Sequence, residues 1–469
     1  MTDTADDIVR KVAEYAAANP DAPVIFGAAF SSLRFGTEGP DRALLDAVVP
    51  DRPVILMDHT MHSAWANTLA FERAGVTAET PDPLPGEYAR EADGTPHGFI
   101  KGSAASLPVL EAIRAITPES LLRAIPATVA GLTAFGFTAA LECGNPFLTE
   151  VALGALRELD LRGELPLRVS LTVLANTEAV AEHAVGLTAE YAARFGTDHL
   201  WFDTVKILGD SVLENAAAAL LEPYLTTGGY GRLAFGDEAL QALVLDAAAA
   251  GYGVVMRAIG DRAVRQGLDA AQRLRASGDD ETRFVLTHVR LVNPADRPRF
   301  AELGVQVQTT GNWAVMQPKY LETIGAERAL RDQFPFRSFV DSGVSLSLGS
   351  DWPATPGGFE FGVNPFINMY TAMHRRPPTE LLEAFAAADE VLEPAGETLT
   401  LAEAVAGYTI NGARALGREH EFGSILAGKR ADLVVVDRDL FTIDPEEIPH
   451  ARVLMTVMDG RVVHDVLVP

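Results

Sequence analysis

The sequence predicts an α/β fold: a TIM-like (β/α) barrel with a small β element, a partial β-sandwich, at its carboxyl end. Short, continuous runs of Val, Ile and Leu recur along the chain, and such runs are typical of strands buried on both faces of a parallel sheet. Ala- and Leu-rich stretches with helical spacing lie between them, as in repeated β-α units. Because roughly seven such units follow residue 130, we expect a barrel rather than an open, doubly wound sheet.

The predicted elements follow the apolar runs and the helical spacing in chain order. The predicted strands are 24–30, 54–57, 137–142, 167–173, 205–208, 254–258, 284–288, 305–308 and 344–348. The clearest predicted helices between them are 118–135, 177–195, 237–250, 262–277 and 294–303.

Two segments with turn signals interrupt this pattern. Residues 80–98 are rich in Pro, Gly and charge, and Asp93-Gly94 predicts the turn of a hairpin there. Near the end, three short strands are predicted at 433–437, 453–458 and 461–463, with Asp459-Gly460 as a second hairpin turn. We therefore expect a barrel domain over 1–420, with an N-terminal insertion region at about 20–130, and a small β-sandwich element over 421–469.

The composition excludes several classes of partner. The 469 residues include 38 Lys and Arg against 64 Asp and Glu, a formal net charge of −26. This balance argues against nucleic acid, because neutralising phosphates requires clustered Lys and Arg, and against a basic membrane-binding surface. The single cysteine, Cys143, excludes an internal disulfide framework and a thiolate zinc cluster. With no signal-peptide core and no apolar run near about 18 residues, we expect a cytoplasmic protein without a membrane partner.

Polar residues at the ends of the predicted strands are the candidate site residues, because active sites of parallel barrels lie at the carboxyl ends of the strands. Lys206 and Arg257 lie within apolar runs, His288 ends one, and Cys143 and Asp351 follow others. Imidazole and carboxylate ligands suit zinc, and Asp351 is also a candidate general base towards a metal-bound water.

Each of these residues also has a structural interpretation. A strand-end histidine is more often a core residue than a ligand, Asp351 is also placed to cap a helix, and Arg257 to anchor a carboxylate. Cys143 is most often an inert buried cysteine. Lys206 has the stronger case for a role, because a polar group inside an apolar run is costly without a partner.

Seven segments gain meaning when they are taken together: MHSAWANTLAFERAGV at 61–76, PGEYAREADGTPHGFI at 85–100, TVKILGD at 204–210, AIGDRAV at 258–264, FVLTHVRLV at 284–292, LGSDWPATP at 348–356 and FGSILAGKRADLVVVDRDLF at 422–441. They resemble the amidohydrolase superfamily, in the family-3-like branch that contains N-substituted formamide deformylase. The resemblance covers nearly the whole chain.

The resemblance implies a function and a set of roles. It implies a hydrolase of carbon–nitrogen bonds, other than peptide bonds, in small amides, N-formyl amides or cyclic amides, with zinc or another divalent metal as cofactor. Asp351 is then the general base, and His288, Lys206 (as a carboxylated bridge) and Asp351 are the metal-site residues. A small-molecule substrate is the implied partner, a homodimer is among the expected states, and the implied pocket residues are His62, Trp65, Cys143, Asn312 and Trp313.

Two departures from the family pattern leave this mechanism open. The amino-terminal half-sandwich and the first strand with its His-x-His pair have no counterpart in this sequence. Arg257 stands where the fifth strand of relatives carries a metal histidine, and a protonated guanidinium offers a metal no lone pair. Either an upstream segment lies outside this sequence, or the lineage lost or remodelled its metal; Arg257 favours the second explanation.

Two alternative functions therefore remain open. One is a metal-independent lyase or isomerase that acts on an anionic small molecule held by Arg257 and Lys206, with His288 and Asp351 for acid–base chemistry. The other is a degenerate, non-catalytic barrel kept for binding. Fold-level resemblance does not choose among these functions, because barrels host many chemistries.

Overall fold

The computed structural model describes residues 4–35, 39–58, 61, 63–83, 86–144, 149–213, 216–355, 358–385 and 387–467. The chain forms two compact units. Unit 1 comprises Met1–Ala124, Pro146–Ala152 and Trp352–Phe359, and unit 2 comprises Ile125–Asn145, Leu153–Asp351 and Glu360–Pro469.

Unit 1 is built on a five-stranded sheet of order β1-β2-β3-β5-β4. Its elements are α1 (Ala5–Ala18), β1 (Ile25–Phe30), α2 (Arg42–Asp46), β2 (Val54–Asp58), β3 (Ser63–Ala66), α3 (Thr68–Ala74), β4 (Glu87–Arg90), β5 (Pro96–Lys101) and α4 (Ser103–Ala112). Strands β1 and β2 pair in parallel, whereas β4 and β5 form an antiparallel hairpin. Gly94 at the hairpin turn has φ of 88°, which glycine adopts without strain. The hairpin predicted from Asp93-Gly94 is therefore confirmed.

Unit 2 contains the parallel strands of the barrel. These are β6 (Ala139–Leu141), β7 (Arg168–Ser170), β8 (Val173–Ala175), β9 (Leu200–Trp201), β10 (Thr204–Leu208), β11 (Gly253–Ala258), β12 (Phe284–His288), β13 (Gln306–Thr309) and β14 (Leu346–Leu348). They pair as β6-β7-β9 and as β14-β13-β12-β11-β10-β8. Because only two residues separate β7 from β8 and β9 from β10, the nine segments fill seven successive strand positions. Within the described residues β6 and β14 do not pair with each other, so they border a seam.

Helices alternate with these strands, as the sequence predicts. They are α5 (Pro118–Ala134), α6 (Glu150–Leu161), α7 (Glu178–Phe195), α8 (Asp237–Ala249), α9 (Asp261–Ala276), α10 (Arg297–Glu302), α11 (Lys319–Ile324), α12 (Ala326–Arg331), α13 (Phe336–Asp341), α14 (Gly358–Val363), α15 (Pro365–His374), α16 (Leu401–Tyr408) and α17 (Ile410–Ala415). The helix predicted at 294–303 begins only at Arg297, after a single 3₁₀ turn. In the described part of the chain, no helix is long and apolar enough to cross a bilayer.

The strand register divides the barrel side chains into two faces. Ile207, Met256, Leu286, Val307 and Leu346 are in register and belong to the buried apolar core. The residues that alternate with them point to the opposite face. They form two layers across the strands, Lys206-Val255-Val285-Gln306 and Leu208-Arg257-Thr287-Gln308-Ser347. The inner face is therefore largely polar, and it carries the candidate site.

A small antiparallel sheet follows the barrel helices in unit 2. It consists of β15 (Leu433–Val436), β16 (Val453–Met458) and β17 (Arg461–Asp465), in the order β15-β16-β17. The fully buried Arg168 of β7 connects this sheet to the barrel strands. Its guanidinium contacts Asp432 at 2.6 Å and Asp459 at 2.5 Å. The antiparallel element predicted over 421–469 is thus present, and it packs within unit 2.

We expect Arg168→Met to lower the free energy of unfolding by about 3–5 kcal/mol, because it leaves the largely buried Asp432 carboxylate without its partner. Arg430→Met is the matched control. Arg430 also contacts Asp459, at 2.9 Å, but it is exposed to solvent. This control should cost less than about 1 kcal/mol. Urea unfolding measures both; equal losses would show that the ion pair of Arg168 does not hold the sheet.

Candidate active site

Four polar side chains meet at the carboxyl ends of the barrel strands. Lys206 lies on β10, Arg257 on β11 and His288 at the end of β12, and Asp351 follows β14. Lys206 and His288 are almost fully buried, with 2% and 4% of their surfaces exposed. The charges of Arg257 and Lys206 act on both His288 and Asp351, so the four groups share one electrostatic environment.

Lys206 is held by two neutral acceptors. Its Nζ donates to Thr287 Oγ1 at 2.8 Å and to Cys143 Sγ at 3.1 Å. Within the described residues it makes no ion pair. Gly144 allows this approach, because a Cβ at Gly144 would lie 2.8 Å from Lys206 Cγ. Cys143 and Lys206, which the sequence predicts as site residues, therefore lie in contact with each other. Their roles stay predictions.

Arg257 makes its closest polar contact with His288. Arg257 Nη1 lies 3.3 Å from His288 Nε2. A guanidinium has only donors, so Nε2 accepts and the imidazole proton sits on Nδ1. The backbone of His288 has φ of 70°, a left-handed conformation that departs from the strand's alternation. Trp313 stacks on the ring, with 5.3 Å between centroids and 11° between planes, and holds it in this position.

His288 is a neutral imidazole near neutral pH. Burial is the main cause of its lowered pKa, and the positive charges of Arg257 and Lys206 add to it. All three causes penalise the imidazolium. His288 therefore serves this centre as a hydrogen-bond acceptor rather than as a third cation.

Asp351 is the carboxyl group of the centre. Burial raises its pKa above the usual value, while Arg257 and Lys206 lower it in part. Its φ of 52° is again left-handed, which is uncommon for a non-glycine residue. Sparsely populated backbone conformations of this kind persist where the surrounding structure enforces them, and they concentrate at functional sites.

Asp210 fixes the segment that follows Arg257. Its carboxylate accepts hydrogen bonds from the backbone N–H groups of Ala219, Ile259 and Gly260, at 3.0, 2.9 and 2.9 Å. Gly209 brings the two strands close, because a Cβ there would lie 2.4 Å from the Arg257 carbonyl. Burial raises the pKa of the Asp210 carboxyl to about 6, against the three N–H donors and Arg257, which lower it. Asp210 thus positions β11 against β10 without touching the centre.

The donor set at this centre does not fit a metal ion. The Nε2 lone pair of His288 points at a guanidinium, and Lys206 as a free amine is a donor that binds Thr287 and Cys143. Among the described residues, one group of three metal-ligating side chains lies close enough together to share an ion, and it is Asp41, Glu91 and His97 in unit 1. These contacts engage His288 Nε2 and Lys206 Nζ with other side chains, and the metal roles that the resemblance implies for His288, Lys206 and Asp351 stay predictions.

The other predicted pocket residues divide between the two units. Trp313 lies against His288 in unit 2. Asn312 is buried beside it, and its Nδ2 donates to the carbonyls of Phe361 and Gly362, each at 3.5 Å, while Oδ1 has no hydrogen-bond partner among the described residues. His62 lies outside the described residues.

Trp65 is a core residue of unit 1 rather than a lining residue. It is fully buried and packs against Phe35, with 4.9 Å between ring centroids. Its Nε1 donates to the carbonyl of Asp41 at 3.0 Å. Because the indole is buried in unit 1 and its N–H has a hydrogen-bond acceptor there, the structure assigns Trp65 a packing role.

The sequence did not predict the roles of Thr287, in the centre, and of Asp210, beside it. For Thr287, the place next to His288 on the inner face is a signal that strand alternation gives. Asp210 lies just after the strand that carries Lys206 and ends the segment TVKILGD, which resembles the amidohydrolase superfamily. Its role depends on three N–H groups that are distant in sequence, so no local pattern reveals it.

Comparison with known proteins places the chain among hydrolytic enzymes. Residues 2–464 match the model of the amidohydrolase family. N-substituted formamide deformylase of Arthrobacter pascens is 27% identical over 469 residues, which cover 97% of this chain and 82% of that protein. Protein LONG AFTER FAR-RED 3 of Arabidopsis thaliana is 27% identical over 451 residues, which cover 93% of this chain and 73% of that protein.

A solved structure is similar over nearly the whole chain. It is described as an uncharacterized metal-dependent hydrolase from Pyrococcus horikoshii OT3. It superposes with a TM-score of 0.71 at 21% identity, covering 95% of this chain and 82% of that chain. This similarity confirms the predicted fold class.

The raised pKa of Asp210 predicts a specific pH dependence of stability. Its folded pKa of about 6 exceeds the ordinary 3.8, so below about pH 4 its carboxyl is protonated in both states. Between these two pKa values the Asp210 carboxyl is protonated in the folded chain and ionised in the unfolded chain. The free energy of unfolding therefore falls as pH rises. We expect the difference in unfolding free energy, wild type minus Asp210→Asn, to fall by on the order of 2–3 kcal/mol between about pH 4 and pH 6 and then to level off.

Urea unfolding of both proteins across this pH range measures the difference. Asp280→Asn, at an exposed position, is the control and should show no comparable slope. A difference that stays constant or rises with pH would show that Asp210 is ionised in the folded chain throughout.

Proposed function

The chain belongs to the amidohydrolase family, and from that premise we propose that it hydrolyses carbon–nitrogen bonds, other than peptide bonds, in small amides or N-formyl amides. The similarity to N-substituted formamide deformylase supports this bond class. The observation that carries the proposal is the position of Asp351, a partly buried carboxyl on which the charges of two cations at the strand ends act.

Asp351 is the general base in this proposal. It takes a proton from the water that attacks the carbonyl carbon, and it returns the proton to the leaving nitrogen. A carboxylate in water is too weak a base for this task, and burial makes it stronger by raising its pKa. The charges of Arg257 and Lys206 oppose the effect of burial on this pKa and favour the ionised carboxylate.

The positive charge of the centre supports attack on a carbonyl group. Negative charge develops on the carbonyl oxygen as the tetrahedral intermediate forms, and fixed cations in a partly buried site stabilise it. His288 is a positioning residue in this proposal. By accepting from Arg257 Nη1 at 3.3 Å it orients the guanidinium, and because it is neutral it adds no competing charge.

No step of this proposal passes through a metal ion. Relatives of this fold are described as metal-dependent hydrolases, but the donors at this centre do not fit a metal. The chain's own cations take the electrophilic role instead. Turnover should therefore survive exhaustive treatment with a chelator.

We expect Asp351→Asn to lower kcat by about a hundred- to ten-thousandfold with little change in KM, because it removes the base and keeps the shape. The screen uses small N-formyl and N-acetyl amides, with release of the amine as the readout. The low-pH limb of kcat for the wild type should lie above the usual carboxyl range, because the pKa of Asp351 is raised.

Asp280→Asn, an exposed change of the same kind, is the control and should turn over normally. Heavy-oxygen water separates hydrolysis from the lyase or isomerase alternative, since only hydrolysis places its oxygen in the product. Full activity in Asp351→Asn, or products without solvent oxygen, would contradict the proposal.

A further inference from the structure

Of the two cations at the centre, Lys206 is buried and Arg257 is partly buried. Within the described residues, neither Lys206 nor Arg257 forms an ion pair with a carboxylate. Lys206 is 2% exposed, yet its acceptors are a hydroxyl and a thiol. Burying a charge is costly unless it is paired, so a lysine and an arginine side by side, without a direct carboxylate contact, favour the binding of a negative group.

Two fully buried arginines of unit 2 show how a buried guanidinium is paired in this protein. Arg168 binds two carboxylates, those of Asp432 and Asp459. Arg375 is fully buried, and its guanidinium donates to the carbonyls of five residues: Gln333, Phe334, Leu392, Glu393 and Glu397. Arg257 differs from both. Among the described residues its polar side-chain contact is with a neutral imidazole rather than with carboxylates or carbonyls, and its Nε, like that of Arg168, has no acceptor there.

The two cations are placed to bind one group between them. Lys206 and Arg257 lie on neighbouring parallel strands, where Leu208 pairs with Arg257 and Lys206 pairs with Val255. They are therefore diagonal neighbours on the inner face, separated by roughly 8 Å between Cα atoms. Both side chains are long enough to converge from that separation, and the contact with His288 turns the guanidinium to one side.

The geometry of the two cations favours a carboxylate. A guanidinium beside an ammonium matches a planar carboxylate, which accepts two hydrogen bonds from the fork of Arg257 and a further one from Lys206.

We propose that Arg257 and Lys206 form a carboxylate subsite, so that the substrate is a small amide that also carries a carboxylate, as N-acyl and N-formyl amino acids do. This inference rests on the proposed hydrolysis and names its substrate class. The carboxylate occupies the two cations in the bound state, and Asp351 remains available for the water. A neutral amide offers the two cations no carboxylate and binds more weakly.

Binding, measured without reference to turnover, tests the subsite. The probes are N-acetylglycine and the neutral N-acetylglycinamide, which differ only in the carboxylate. Calorimetric titration of the full chain should give a Kd for N-acetylglycine at least about tenfold below that of the amide. Thermal unfolding should rise with N-acetylglycine concentration and respond much less to the amide.

Three variants locate the effect. Arg257→Gln and Lys206→Gln should each remove most of the preference for the acid, because each deletes one cation. Arg257→Lys keeps the charge but loses the fork, so it should retain part of the preference. It also keeps the test decisive if Arg257→Gln does not fold. Arg273→Gln deletes an exposed arginine of α9 and should bind both probes as the wild type does.

The outcomes separate the subsite from the reaction. Equal binding of acid and amide, or a preference that survives Arg257→Gln, overturns the subsite. Strong, Arg257-dependent binding of acids without hydrolysis of any carboxylated amide supports the subsite and counts against the proposed function. Hydrolysis of neutral amides in preference to their acids supports the reaction and overturns the subsite.

Discussion

The contact between the Arg257 guanidinium and the His288 imidazole governs what this barrel can do. A permanent cation 3.3 Å from Nε2 fills the lone-pair direction that a metal ion would use. The same cation, together with Lys206, keeps the imidazole neutral and partly offsets the effect of burial on Asp351. The ring stacked on Trp313 holds the arrangement from the other side. The contact between these two side chains thus opposes metal binding at His288 Nε2. It also helps to keep the imidazole neutral and partly offsets the rise in the pKa of Asp351.

The centre is positively charged inside an acidic protein. The chain carries a formal charge of −26, but the inner face of the barrel holds Lys206 and Arg257 without carboxylate partners among the described residues. The supporting structure stabilises this arrangement with neutral groups: Thr287, Cys143 and the imidazole of His288. Because little solvent reaches Lys206, its attraction for an anion is stronger than in water. A site of this kind binds its ligand through cations that make no direct contact with a carboxylate among the described residues.

The sequence predicts the barrel and the residues of the candidate centre. It does not predict what each of these residues contacts. Continuous apolar runs identified the strands of unit 2 because both of their faces are buried, and β12 begins and ends at the predicted residues. Strands β3, β4 and β5 lack such runs, and only the turn at Asp93-Gly94 indicated two of them. Trp65 looked like a lining residue, but its partner is a carbonyl 24 positions away, a contact that no local pattern contains. The left-handed backbone of His288 and Asp351 was equally invisible, because neither is a glycine.

X-ray diffraction at the zinc absorption edge, from crystals grown with zinc and N-acetylglycine, tests the central claim most directly. The account predicts no anomalous peak within bonding distance of His288 Nε2, with Arg257 still in contact with the imidazole. It also predicts density for a carboxylate between Arg257 and Lys206. A strong zinc peak about 2.1 Å from Nε2, with the guanidinium displaced, would contradict it.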